Sequence, residues 1–370
     1  MKGQFSFFNQ RGFDVQIASS DGDDGRYVQE NENVKFHQIP LTRTITPLRD
    51  LYCIILLYRL IKKERFDIVH SHTPKAGLVA MIAAWMARVP VRLHTVAGLP
   101  LIEATGIKKQ ILVMVERLTY SFATKVYPNS FSMSDYISRE FFSNTTKLKG
   151  LANGSSNGID LNYFSRNDSL LSESLALRCE LDISSSSKVG VFVGRLVGDK
   201  GINEMIEATA EIVERVCDFH LILVGSFENE LDPLRAETYE RIRMLSNIHV
   251  VGFQPDVRPC LLASDFLVFP SYREGFPNVP LQAGAMGLPS IVSNINGCNE
   301  IIVHEQNGLI IPSKNKEALK EAMCRMIKDE KLFETLKERS RKSIEDRYDR
   351  TLVWEALLSE YRTQLKSHVH

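Results

Sequence analysis

Two short stretches hold residue types suited to an anionic, hydroxyl-bearing ligand. GRLVGDKG, Gly194 to Gly201, follows the apolar run VGVFV and precedes the helix pattern NEMIEATAEIV. A glycine turn between strand and helix aims backbone N–H groups and the positive helix end at an anion, and Arg195 and Lys200 add two cations beside it. Arginine chelates two oxygens and lysine acts as a point charge, a combination that suits a diphosphate. A solvated loop with an ordinary Arg and Lys explains this stretch equally well by itself. The spacing is neither the Walker pattern nor G-x-G-x-x-G.

REGFPNVPLQ, Arg273 to Gln282, has the same layout after the strand pattern DFLVFPS. Pro280 is expected at the first position of the helix PLQAGAM, where its missing N–H costs nothing, so that first-turn amides are free to face a ligand. Glu274 precedes that helix and can accept hydrogen bonds from sugar-type hydroxyls, while Gln282 lies within it. Alone, Glu274 reads as a charge that complements the helix dipole. Both loops follow strand C-termini, where open α/β sheets bind ligands, and together they point to a phosphate-bearing ligand.

In the first half, HSHTPKAG puts His70 and His72 at one strand end and RLHTVAG puts His94 at the next. Strand-end loops carry function, yet a lone histidine there is more often a structural hydrogen-bonder. His70 and His72 are expected to point to opposite faces, which makes them poor metal partners. His94, followed by Gly98, is the better candidate to face a cleft.

The elements that position these residues are legible from pattern. DVQIAS, KFHQIPL, DIVHSH, VRLHTVA and KVYPNS, then KVGVFVGRL, FHLILVG, IHVVGF, DFLVFPS, PSIVSN and GLIIP, alternate with amphipathic helix patterns. Such alternation calls for parallel sheets covered on both faces. The chain's 370 residues exceed one ordinary core. Two Rossmann-like domains are expected, residues 1–165 and 166–350, joined through the Gly/Ser/Asn-rich GLANGSSNGIDLNYF, with 351–370 as a closing helix. The chain opens on a helix pattern, Lys2 to Arg11, ahead of FDVQIAS. A doubly wound sheet normally supplies a central strand before that helix, so the first sheet is expected to lack a strand and to expose apolar surface.

The 45 Lys and Arg balance the 45 Asp and Glu, so no global field draws the chain to nucleic acid. The six cysteines form no C-x-x-C pair, which suggests neither a metal site nor a disulfide framework. They read as small core residues. MKGQFSFFNQRG lacks the apolar stretch of a secretory signal, and no apolar run reaches the roughly 18 residues that span a bilayer. A cytoplasmic protein is expected. GIKKQILVMVERLTYSF has interfacial features, but two lysines attract lipid weakly, which favours a buried helix.

Taken in order, VGRLVGDKG, FPSYREGFPNVPLQAGAMGLPSIVSNINGCNEII and EQNGLIIP resemble a family-4 glycosyltransferase of the GT-B fold, across nearly the whole chain. DIVHSHTPKAGL and VPVRLHTVAGLP are similar to transferases that build bacterial surface polysaccharides. The resemblance implies retaining transfer of a hexose or N-acetylhexosamine from a nucleotide sugar, with a UDP-sugar as the expected donor, without a metal or other cofactor. It implies a donor-binding second domain and a first domain that binds a glycan or polyprenyl-diphosphate-linked acceptor, at or near the cytoplasmic membrane face. By motif position, Arg195 and Lys200 bind the diphosphate and Glu274 the sugar hydroxyls. Gly194, Gly275, Phe276, Asn278 and Val279 line the pocket, and Gln282 stands where the family has a ribose-binding glutamate. His94 matches the histidine near the transferred sugar, and the closing helix crosses back to the first domain. Retention in this family is ascribed to a front-face route in which the departing phosphate helps deprotonate the incoming hydroxyl. Two other readings are a silent nucleotide-sugar-binding or truncated protein, suggested by the absent strand, and a sugar-nucleotide epimerase, which REGFPNVPLQAGAMG argues against.

Overall fold

The structure is a computed structural model that describes residues 3–20, 23–42, 46–102, 104–142, 145–228, 230 and 232–368. Met1 and Lys2, where the first helix pattern opens, lie outside the described residues. The chain divides into two compact units, Met1–Gly158 with Arg350–His370, and Ile159–Asp349. All eleven β-rich runs become strands. The first unit holds β1 (Gln16–Ser19), β2 (Lys35–Gln38), β3 (Ile68–Ser71), β4 (Val91–Val96) and β5 (Lys125–Pro128). The second holds β6 (Lys188–Val193), β7 (Phe219–Val224), β8 (Ile248–Gly252), β9 (Phe266–Phe269), β10 (Ser290–Ser293) and β11 (Gly308–Ile311).

In the second unit the strands run in the order β11-β10-β9-β6-β7-β8, every pair parallel. Counted from β6, this is the doubly wound order 3-2-1-4-5-6. Helices cover both faces, so β9 and β10 are buried along their whole length, as continuous apolar runs in a parallel sheet should be. Phe219 stacks on Phe266 across neighbouring strands, and Val191, Leu221, Leu267 and Ile291 are fully buried beside them. The strand order reverses between β6 and β9, and the loops that leave these two strands are GRLVGDKG and PSYREGF.

In the first unit β1 pairs with β2, and β3, β4 and β5 form a separate three-stranded parallel sheet. The doubly wound order has one more strand between β1 and β3, and among the described residues none joins these two edges. Both edge strands stay mostly half-buried or exposed, unlike β9 and β10. The last helix, Arg350–His368, belongs to this unit. Trp354, Leu357 and Leu358 bury Phe7 and Phe8 of the first helix, Gln4–Asn9. Glu360, 3 % exposed, accepts from the Tyr127 hydroxyl at 3.0 Å and pairs with Lys149 at 2.5 Å.

Two expectations are corrected. Cys53, Cys260 and Cys298 are buried, but Cys179 and Cys217 are exposed, so the cysteines are not uniformly core residues. The helix Gly106–Phe122 is not buried either: Ile107 is 76 % and Met114 56 % exposed. Its inner face is already filled by Leu112, Glu116, Thr119 and Tyr120. An outer-layer helix has one face against the sheet and no second neighbour for the opposite stripe.

Candidate functional site

The two candidate loops flank the point where the strand order reverses, and there they are stitched into one structure. Gly201 caps the helix Ile202–Val213 with φ +71°, and a Cβ on it would lie 2.3 Å from the Pro270 carbonyl oxygen. Only glycine combines that left-handed turn with so close an approach. The Asp199 carbonyl accepts from the Tyr272 amide at 2.8 Å, and its carboxylate pairs with Arg273 at 2.9 Å. The Tyr272 hydroxyl donates to Glu204 at 2.6 Å.

Lys200 and Glu274 face each other at the centre of this arrangement. Nζ lies 2.5 Å from Oε1, with side chains 14 % and 16 % exposed. The hydroxyl of Ser271, itself fully buried, donates to the same Oε1 at 2.8 Å. Oε1 is thus occupied twice, while Oε2 makes no hydrogen bond among the described residues. A carboxylate so fixed keeps a rigid acceptor free for a hydroxyl. The helix after Glu274 begins at Asn278 behind an extended Pro277, so Pro280 is its third residue rather than its first. Position three is still in the first turn, where an amide has no intrahelical partner. Among the described residues, the amides of Gly275, Phe276, Asn278 and Val279 donate to no protein group. The half-buried Gln282 makes no side-chain hydrogen bond among the described residues. Gly194 directly follows β6, at φ +150°.

Arg195 stands apart from its expected neighbour. Its side chain is 47 % exposed and pairs with Glu228 at 2.9 Å, whose hydrogen bond raises its already high pKa. It flanks the Lys200–Glu274 pair without joining it.

Sequence reasoning missed the residues that hold the loops in place. Asp232 accepts from the Asp199 amide at 2.6 Å. Asn296 donates to the Gly275 carbonyl at 2.7 Å, and Gly297, at φ +74°, presses against the same backbone. Asn-Gly is a turn signal, but nothing in its spacing says which loop the turn supports. Cys298 is fully buried in this support, and burial pushes its thiol well above the ordinary range.

In the first unit, His94 is 1 % exposed, so it does not present an open face. Its Nδ1 hydrogen-bonds the Ser71 hydroxyl at 2.8 Å and its Nε2 makes no hydrogen bond. The ring packs where a Cβ on Gly77 would lie 2.5 Å from Cε1, so the glycine of the helix Pro74–Met86 makes room for it. His70 and His72 do not diverge as expected. Residues i and i+2 of an extended chain share a face, and the two rings stack with centroids 4.3 Å apart. His70 is held by Tyr361 at 2.7 Å and Thr95 at 2.8 Å. Among the described residues no group of three His, Cys, Asp or Glu side chains is arranged to hold a metal ion.

Burial lowers all three imidazoles: His94 to about 3, His72 to about 4, and His70 well below the usual value of 6.5. The folded chain therefore binds fewer protons than the unfolded chain below pH 6.5. Stability is fully present above that pH and is lost as pH falls. Each such histidine contributes a slope of up to about 1.4 kcal/mol per pH unit, so the three together approach about 4. The melting transition of the first unit is expected to drop steeply from pH 7 to pH 5.5. A flat transition over that range, followed by scanning calorimetry, would show that water reaches the imidazoles.

Comparison with known proteins covers both units. Residues 176–343 match the family model of the glycosyl transferases group 1, and residues 8–154 match the glycosyl transferase 4-like domain. A capsular polysaccharide biosynthesis glycosyltransferase of Staphylococcus aureus is 32 % identical, over 99 % of this chain and 94 % of its own length. The UDP-Gal:alpha-D-GlcNAc-diphosphoundecaprenol alpha-1,3-galactosyltransferase of Escherichia coli is 30 % identical, over 92 % and 87 %. Among solved structures, Anabaena HepE in complex with UDP superposes with a TM-score of 0.81 at 19 % identity, over 98 % of this chain and 96 % of that one. That likeness speaks for the fold. With both halves matched and relatives aligned end to end, the chain belongs to the group 1 glycosyl transferases and is a glycosyltransferase of the GT-B fold.

Proposed function

We propose that this glycosyltransferase moves a hexose or N-acetylhexosamine, with retention and without a metal, from a UDP-sugar held by the second unit. The acceptor is a polyprenyl-diphosphate-linked glycan held by the first unit, and the reaction takes place at the cytoplasmic face of the membrane. One observation carries the reading: Lys200, the open Oε2 of Glu274 and four unoccupied amides meet where the strand order reverses. The donor and acceptor classes are those for which the Escherichia coli relative is named.

The sugar's bond from C1 to the phosphate oxygen breaks and a bond from C1 to the acceptor oxygen forms on the same face. The acceptor's proton passes to the departing phosphate. Negative charge grows on the leaving diphosphate, and the free amides with Lys200 and Arg195 meet it, as preorganised donors do most effectively in a site shielded from water. Glu274 orients sugar hydroxyls through Oε2. Gln282 binds ribose as a neutral group and adds no charge beside the diphosphate. His94 is held as a neutral imidazole with Nδ1 fixed by Ser71, and its buried Nε2 meets the sugar only once the packing over it opens.

Purified protein is expected to transfer label from a UDP-sugar to a polyprenyl-diphosphate glycan, to keep its rate in a chelator, and to give a product with the donor's anomeric configuration by NMR. The absence of both turnover and nucleotide binding across a broad donor panel would overturn the assignment. Inversion or chelator sensitivity would each overturn its own part.

A further inference from the structure

The inner face of the helix Gly106–Phe122 carries two titratable side chains that the proposed reaction does not use. Glu116 and Tyr120, one helical turn apart, are 2 % and 3 % exposed. Glu116 Oε2 and the Tyr120 hydroxyl are both buried, and among the described residues neither has a hydrogen-bond partner. A buried carboxyl group without a partner costs free energy that an apolar side chain of similar size would not. Its presence calls for a reason.

Tyr120 supplies one. Its ring lies 6.1 Å from that of His94, tilted by 43°, and is itself braced by Phe142, stacked at 5.7 Å, and by Phe141, edge-on at 5.4 Å. His94 otherwise meets Gly77, which offers no side chain, and Ser71, which fixes Nδ1. Among the described residues Tyr120 is thus the one aromatic ring paired with the imidazole.

No cation balances the acid. Tyr136 of the helix Phe131–Phe141 is near Tyr120, with Glu140 beside it. Lys147 donates to the carbonyls of Tyr120, Ser121 and Ala123 at the end of the helix, and Lys75 of the helix Pro74–Met86 pairs with Asp50. Burial raises the Glu116 carboxyl to about 7, against a smaller lowering by Tyr120, and pushes the Tyr120 hydroxyl up as well. Glu116 is therefore a neutral acid below about pH 7 and a carboxylate above it.

We propose that Glu116 and Tyr120 are positioning residues for His94, holding the ring that packs on the imidazole and so setting how Nε2 is presented when the packing over it opens. The inference rests on the role given to His94 in the proposed function. As a neutral acid Glu116 can donate to the phenol or accept from it. As a carboxylate without a cation it draws water into the layer, which loosens Tyr120 and gives Nε2 water as a partner in place of the sugar.

The test uses E116L and E116Q, with H94A alone and combined with E116L. Leucine fills the space without the acid, so E116L is expected to keep or raise the melting temperature. Its kcat should nevertheless fall about tenfold, as a small misplacement of a reacting group does, with KM for the UDP-sugar within about twofold. E116Q restores the hydrogen-bonding group and should regain most of that loss. Wild-type kcat is expected to fall at least about fivefold from about pH 7 to about pH 8.5, and that of E116Q to stay flat. Because burial keeps His94 itself neutral over this range, its side-chain nitrogen NMR signals should move with pH in the wild type and stay still in E116Q. In the H94A background, E116L should lower kcat no further.

Folded E116L with wild-type kcat, an equal alkaline fall in E116Q, or a further loss in H94A/E116L each overturns the proposal. Failure of the underlying reading shows elsewhere: H94A at the wild-type rate removes the role of His94, and with it this route to the chemistry. Movement of the His94 signals that E116Q abolishes would still support the coupling between the two residues.

Discussion

Glu274→Ala is expected to lower kcat/KM by about 10²- to 10³-fold, the range seen when one group that stabilises a transition state is removed. Two losses combine. The sugar loses the acceptor at Oε2, and Lys200 loses the carboxylate 2.5 Å from its Nζ. Breaking a fully buried pair costs about 3–5 kcal/mol, and the partial exposure of both side chains makes the cost smaller here. Part of the effect should therefore appear as a lower melting temperature of the second unit. Gln282→Glu is the control. Its side chain makes no hydrogen bond, and a carboxylate there can still accept from a hydroxyl, so donor affinity should stay within about threefold. Steady-state kinetics on both variants decides the matter. Equal, small effects would show that the chemistry has been put in the wrong place.

Gly297→Ala should weaken UDP binding by about 10- to 100-fold, equivalent to about 1.4–2.8 kcal/mol, although residue 297 is assigned no ligand contact. The backbone there has φ +74°, and a Cβ would stand 2.6 Å from the Gly275 carbonyl oxygen and 2.9 Å from the Phe276 Cα. Alanine is strained at that φ. It also pushes on the segment whose amides are unoccupied and on the carbonyl that accepts from Asn296. Calorimetric titration with UDP measures the change. Wild-type affinity in the alanine variant would mean that the loop yields freely and that its position is not what binds the nucleotide.

These variants differ in how visible they were beforehand. That Glu274, Lys200 and Gln282 lie in strand-turn-helix passages was legible, because the position of a loop after a parallel strand is set by local pattern. The same holds for all eleven strands, whose apolar runs and bounding turns mark them one by one. Pro280 shows the limit of such reading: the extended Pro277 starts the helix two residues sooner than the proline signal suggests. His70 and His72 show another, since period two puts them on one face, where their rings stack.

Composition and periodicity thus determined the alternation of strands and helices, two parallel-sheet units and the two loops that carry cations, a carboxylate and first-turn amides. Those properties are local and repeat along the chain. Tertiary structure alone decided that Lys200 pairs with Glu274 while Arg195 turns to Glu228, that Asp232, Asn296 and Gly297 hold the loops, and that Gly106–Phe122 keeps an apolar stripe in solvent. The physical reason is common to all of them. Partner choice, backbone support and exposure depend on segments brought together across tens of residues, and the patterns of a single segment carry no record of what will be packed against it.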